Sequence, residues 1–139
     1  NEENIQNDEV KALNSIVALL VEAASIDGEI GNDEKNQIEN ILVERLNLDK
    51  IEAEKILEQT ISESEEQIEI WSKTNDIRKE LDYEERLNIL ELMWEIVLVD
   101  DVLDVFEAQL MRRVSGLLYI SDIDSGTSKK RAIEKLKSN

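Results

Sequence analysis

The sequence contains no cysteine, no histidine and no proline, and only 4 of its 139 residues are glycine. Without cysteine the chain can form neither a disulfide nor a zinc–thiolate site. Without histidine it lacks the usual general base of catalytic triads and the usual ligand for transition metals. The absence of proline, together with the scarcity of alternating β-branched runs, favours helices.

Basic residues are also scarce, because 16 lysines and arginines stand against 33 acidic residues and give a net charge of -17. This charge repels a phosphate backbone, so we expect no nucleic-acid partner. A small ligand held by charge should instead be a cation. Hydrophobic residues make up 41% of the chain. Their helical spacing is not typical of a disordered acidic segment.

Long hydrophobic runs are missing too. The longest, near residues 16–21 and 96–99, are much shorter than the 20 or so residues that span a bilayer. A signal peptide begins with a basic segment followed by an apolar one, and the first residues do not have this pattern. We therefore expect a cytoplasmic protein with no integral membrane segment, and an unknown protein partner, with peripheral association with membrane proteins as a further option.

Apolar residues spaced three or four apart predict about seven helices around one core. Two helices, near 16–24 and 89–99, are apolar on nearly all sides and should lie at the centre. Asn32 is the expected N-cap of the second helix. Four pairs are spaced as capping boxes and predict further helix starts: Asp49/Glu52, Ser62/Glu65, Asp82/Glu85 and Ser121/Asp124. Four aromatic residues have core spacing: Trp71, Trp94, Phe106 and Tyr119.

We expect a single all-α domain over residues 1–139, with its core over 10–121 and a weak C-terminal helix and basic tail over 122–139. The turn-forming residues 125–127 should interrupt this last helix. Residues 127–139 carry five basic residues and one acidic residue, a net +4, which leaves -21 on the rest of the chain. Two interpretations of this tail are open. It is either a solvated terminus or an electrostatic contact with the acidic body, a membrane or a partner.

An internal repeat relates residues 21–38 to residues 94–111 at an offset of 73. Each copy has a central apolar helix, an acidic turn and an outer helix. Acidic residues match at three positions: Glu22 with Glu95, Asp27 with Asp100, and Glu34 with Glu107. Two such units can pack around a pseudo-twofold axis. Whether their acidic turns then lie close together depends on how the helices cross.

The two copies also carry a family resemblance. The stretch ALLVEAASIDGEIGNDE, residues 18–34, resembles the first signature of the TerB-like family, a tellurite-resistance-associated helical domain. Residues 81–121, which begin LDYEERLNILELMWEIVLVDD in this chain, look like the second signature of the same family. The resemblance covers roughly residues 10–121 and is greatest to the uncharacterised bacterial branch of the family. It implies a compact all-α bundle in a cytoplasmic bacterial protein, associated with tellurite resistance and related stress.

The resemblance further implies metal binding by the acidic turns. By position, the implied ligands are Asp27, Glu34, Asp100 and Glu107. Carboxylates are hard ligands, so the expected ion is Ca²⁺, Mg²⁺ or Mn²⁺. The second motif departs from the family pattern at Asp101, where glycine is usual. The same acids can also act structurally, because Asp in a turn accepts backbone N–H groups and Glu at a helix start interacts with the helix dipole.

Three functions follow from these patterns. The expected one is a non-enzymatic domain that binds a divalent cation or a protein partner through its acidic turns. In the second, the protein is an interaction scaffold without a metal site, and its acids serve helix capping and solubility. The third is a carboxylate-only metallo-hydrolase, which would need at least three acids converging on an open metal position.

Overall fold

The computed structural model describes residues 2–25, 30–63, 70–99, 103 and 105–138, with side chains from residue 11 onward. These residues form seven α-helices and no strand, which confirms the predicted all-α bundle. In chain order the helices are α1 (Glu2–Ser25), α2 (Asn32–Glu44), α3 (Lys50–Glu63), α4 (Ile70–Glu80), α5 (Tyr83–Val97), α6 (Val105–Leu117) and α7 (Asp122–Lys137). None of these helices is both long enough and apolar enough to cross a membrane.

Helices α1 and α5 form the centre of the bundle, as their apolar composition predicts. Val17, Leu19 and Leu20 of α1 are fully buried, and α5 is buried at every residue from 89 to 97. Helix α4 packs on α1, α7 packs on α5, and α1 and α5 contact each other. Since burying a Leu or Ile side chain contributes about 1.5–3 kcal/mol, this inner pair supplies much of the stabilising apolar area.

The outer helices follow the spacing of the sequence repeat. Helices α2 and α6 are both 13 residues long and begin 73 residues apart. Each is followed by a residue with left-handed backbone, Asn47 at φ 61° and Tyr119 at φ 58°. In both halves the next helix begins shortly after this residue, α3 at Lys50 and α7 at Asp122. The described helices therefore share one order and spacing in the two halves, while the pseudo-twofold axis itself stays a prediction.

Three of the four predicted capping pairs form. The box at the start of α5 is complete: the Glu85 N–H donates to Asp82 Oδ1 at 2.9 Å, and the Asp82 N–H donates to Glu85 Oε1 at 3.0 Å. At α3 the Glu52 N–H donates to Asp49 Oδ1 at 2.8 Å. This bond lowers the pKa of Asp49, and the side-chain contact between the two acids raises the pKa of Glu52. At α7, Ser121 Oγ accepts from the N–H of Asp124 at 3.2 Å.

Three other local predictions are wrong. Ser62 lies inside α3, which continues to Glu63, so it does not start a helix; its predicted partner Glu65 lies outside the described residues. The N-cap of α2 is Gly31 rather than Asn32. Helix α7 runs through Gly126 without interruption, because one glycine in a helix costs only about 1 kcal/mol.

The aromatic residues divide between core and surface. Trp94 is buried, whereas Trp71, Phe106 and Tyr119 are 60–66% exposed, so the predicted core positions of these three are wrong. On α4 the buried face is formed by Ile70, Thr74 and Ile77. Trp71 follows Ile70 directly and is therefore rotated about 100° away from that face.

Replacing Asp82 by alanine should lower the free energy of unfolding by about 1 kcal/mol, because the backbone N–H of Glu85 loses its acceptor, Asp82 Oδ1. Urea unfolding followed by circular dichroism measures the change. Glu84→Ala is the matched control, since Glu84 lies exposed in the same first turn, and it should change stability by less than about 0.5 kcal/mol. Equal losses in the two variants would contradict a specific role for the box.

Candidate functional site

Two of the four predicted ligands, Glu34 and Glu107, line the same small pocket. The pocket lies where the C-terminal parts of α1 and α5 meet, and its apolar wall includes Ala24 and Val97. Its volume of about 10 Å³ gives room for roughly one water molecule. The structure thus brings together two acids that the repeat places 73 residues apart. Asp27 and Asp100, the other two predicted ligands, lie outside the described residues.

Local backbone geometry positions Glu34. It is the third residue of α2, and Gly31 is the N-cap of that helix. A Cβ atom at Gly31 would lie 2.4 Å from Glu34 Oε2, so the carboxylate lies directly against the N-cap and would have to move if residue 31 carried a side chain. A second, more open cavity of about 210 Å³ adjoins this turn and is lined by Glu34 and Asp33, among others. Glu34 therefore faces both the small inner pocket and an opening toward solvent.

Glu107 holds the equivalent place in the second half, as the third residue of α6. Both glutamates are half-buried, and both lie in the first turn of a helix, where the dipole favours negative charge. Two carboxylates that lie close together repel each other, and a cation between them relieves the repulsion. The arrangement thus suits a cation, although the helix dipoles alone stabilise part of the negative charge.

Among the described residues, no three acidic side chains come together closely enough to hold a metal ion. A cation between Glu34 and Glu107 would therefore need water molecules or residues outside the described ranges to complete its coordination. Mg²⁺ commonly keeps several waters beside one or two carboxylates. The described residues give no support to the metallo-hydrolase alternative, which needs at least three converging acids.

A buried ionic network is the main feature that the sequence reasoning missed. Glu91 and Glu95 of α5 are only 3% and 4% exposed. Arg45 Nη1 donates to both oxygens of Glu95, at 2.9 and 3.1 Å, and its Nη2 donates to Glu91 Oε2 at 3.4 Å. Lys135 of α7 also binds Glu91 Oε2. The signal was present in the sequence, because these are the two charged residues in the otherwise apolar stretch 89–99.

The basic C-terminal end contacts the acidic body, so the second of the two interpretations of the tail applies to α7. Besides the Lys135–Glu91 ion pair, the Lys129 ammonium lies 5.3 Å from the centre of the Trp94 ring. At the other end of α7, Tyr83 Oη donates to Asp124 Oδ2 at 2.5 Å. Small buried residues, Ser128 and Ala132, let α7 lie close against α5.

Replacing Arg45 by methionine should lower the free energy of unfolding by about 3 kcal/mol at neutral pH, since Glu91 and Glu95 would stay buried without the guanidinium. Urea unfolding at neutral pH, followed by circular dichroism, measures this loss.

Arg113→Met is the control for this variant, because it removes the same charge from an exposed position on α6. It should cost less than about 0.5 kcal/mol. A loss in Arg45→Met that is no larger than the loss in Arg113→Met would contradict the role of the network.

Comparison with known proteins identifies a related family. A family model described as "Tellurite resistance protein TerB" matches residues 13–130, from within α1 to within α7. The match confirms the resemblance found in the two acidic motifs and includes both of them. No curated protein and no solved structure matches the chain.

Proposed function

Since this chain belongs to the TerB family, we propose that it is a non-enzymatic helical domain that binds a divalent cation through the acidic turns following α1 and α5. The observation that carries the proposal is the pocket shared by Glu34 and Glu107. These glutamates occupy equivalent positions in the two halves of the chain, so a cation between them would tie the halves together at one end of the bundle.

The shared pocket favours a cation for an electrostatic reason. The chain carries a net charge of -17, and two of its glutamates line a space with room for about one water molecule. A divalent ion would neutralise both charges, and Ca²⁺, Mg²⁺ and Mn²⁺ are the ions that prefer carboxylate and water oxygens. Asp27 and Asp100 join the proposed ligand set on their sequence positions.

The biological setting of the proposal comes from the family. Its description associates the domain with tellurite resistance, so we place the protein in a bacterial stress response in the cytoplasm. Tellurite itself is a poor candidate ligand, because an oxyanion is repelled by a chain with this negative charge. The domain would act by cation-dependent binding of a protein partner rather than by chemistry on the oxyanion.

An interaction scaffold without a metal site is the second candidate. It is favoured by the helix-start positions of Glu34 and Glu107, where a carboxylate is stabilised without any ligand. Large apolar side chains are also exposed, among them Trp71, Val105 and Phe106. An unknown protein partner could contact such side chains, because aromatic residues are enriched in protein interfaces.

Titrating Ca²⁺, Mg²⁺ and Mn²⁺ against the melting temperature tests the cation site. A ligand that binds only the folded state stabilises it by about 1.4 kcal/mol at a concentration tenfold above its Kd. For this chain length the melting temperature should rise by on the order of 5 °C. The rise should be lost in the Glu34→Gln/Glu107→Gln double variant, and also in Asp27→Asn/Asp100→Asn if these residues complete the site.

The control is Glu84→Gln/Asp122→Asn, which changes the net charge equally at two exposed first-turn positions of α5 and α7. Cations should stabilise this control as strongly as the unaltered protein. If the Glu34→Gln/Glu107→Gln variant responds to cations as strongly as the control, the effect is charge screening. That outcome would favour the scaffold.

A further inference from the structure

A larger cavity lies away from the acidic pocket, and none of its lining residues is shared with that pocket. Its volume is about 320 Å³. The floor is apolar and comes from the two central helices, with Ile16 of α1 and Ile89 and Leu92 of α5, all at most 5% exposed. Leu81, in the link between α4 and α5, forms part of the side wall.

The rim of the cavity is polar, with Arg45, Glu85 and Asn88. The side chains of Glu85 and Arg45 already have partners. Glu85 accepts from the Asp82 N–H through Oε1, which leaves its other oxygen available as an acceptor. Arg45 binds Glu91 and Glu95 through Nη1 and Nη2, and a guanidinium has five N–H donors in all. An apolar floor with a few polar groups at one side is typical of a small-molecule site.

The charges around the rim decide which head group fits. The positive charges of Arg45 and Lys135 are balanced by the buried Glu91 and Glu95, so the rim offers no excess positive charge to an anion. Glu85 adds a negative charge that opposes an anion further. A cation would be attracted to Glu85, but it would lie beside the Arg45 guanidinium on the same rim and would lose hydration next to the apolar floor, which costs more for a charged head group than for a neutral one. A neutral group that both donates and accepts a hydrogen bond avoids both conflicts.

We propose that this cavity binds a small uncharged amphipathic molecule, with its apolar body on Ile16, Ile89 and Leu92 and a hydroxyl or amide head among Arg45, Glu85 and Asn88. The volume of about 320 Å³ is roughly twice that of an apolar cavity that takes benzene. A ring with a short chain and one polar head therefore matches its size. The site is independent of the proposed cation site.

The test uses three probes with one shared body: 3-phenylpropan-1-ol, 3-phenylpropanoate and 3-phenylpropylammonium. Each is titrated into the full chain while methyl and side-chain amide signals are followed by NMR. The alcohol should shift the methyl signals of Ile16, Ile89 and Leu92 and the Asn88 amide, and saturate with a Kd on the order of 1 mM or below. The two charged probes should bind at least tenfold more weakly.

Leu81→Trp should fill the cavity and weaken binding of the alcohol at least tenfold. Leu48→Trp is the matched control, because Leu48 is also half-buried against the core but does not line this cavity, and its Kd should stay within twofold. If Leu81→Trp does not fold, the pattern of shifted methyl signals in the unaltered chain decides.

Three results would overturn the proposal. The first is the absence of any saturable shift up to 20 mM alcohol. The second is a set of shifts spread equally over Leu48 and the cavity residues. The third is a propanoate or ammonium probe that binds as tightly as the alcohol.

Discussion

Two carboxylates buried inside the central helix set the constraint that organises this bundle. Glu91 and Glu95 are almost inaccessible to water, and a buried charge without a partner costs several kcal/mol. Their partners come from elsewhere in the chain, Arg45 from the end of α2 and Lys135 from α7. Because the two carboxylates of α5 need positively charged partners, the end of α2 and helix α7 are both held against α5 by ion pairs. The Arg45 pairs join defined atoms at 2.9 and 3.4 Å, so they restrain how the end of α2 lies against α5.

The parts of the fold that follow from local sequence were predictable. The apolar composition of α1 and α5 indicates their central position, and the Asp82/Glu85 box forms because both partners lie in one turn. The failures have a common physical cause. Ser62 and Trp71 have residue types and spacings that fit the predictions. Tertiary packing, however, decides whether α3 continues past Ser62 and which face of α4 is buried, and so whether Trp71 is exposed. The same holds for α7, whose contacts with α5 depend on Tyr83 and Glu91, which lie 41 and 44 residues before their partners in the chain.

The candidate cation site was predictable in its residue types but not in its geometry. The repeat relates Glu34 to Glu107, and the family resemblance suggests their role. Only the crossing of α1 and α5 brings them to one pocket, and no sequence pattern specifies that crossing. For the ionic network, the acids can be recognised in the sequence but their partners cannot. Glu91 and Glu95 are visible as acids within an apolar helix, yet their partners, Arg45 and Lys135, lie more than 40 residues away on either side. Pairing over such distances in the chain is a property of the folded state.

Because the chain carries a net charge of -17, an acidic residue cannot be assigned a function from its charge alone. The assignment must rest on where the residue lies in the fold. A chain this acidic repels itself, so every dissolved cation stabilises the folded state to some degree by screening. Most of its carboxylates can benefit from such screening without forming a site. Glu34 and Glu107 differ because they line the same small pocket and occupy equivalent helix starts. A specific cation effect must therefore depend on these side chains more than on the same number of exposed acids, and only variants matched in charge can separate the two contributions.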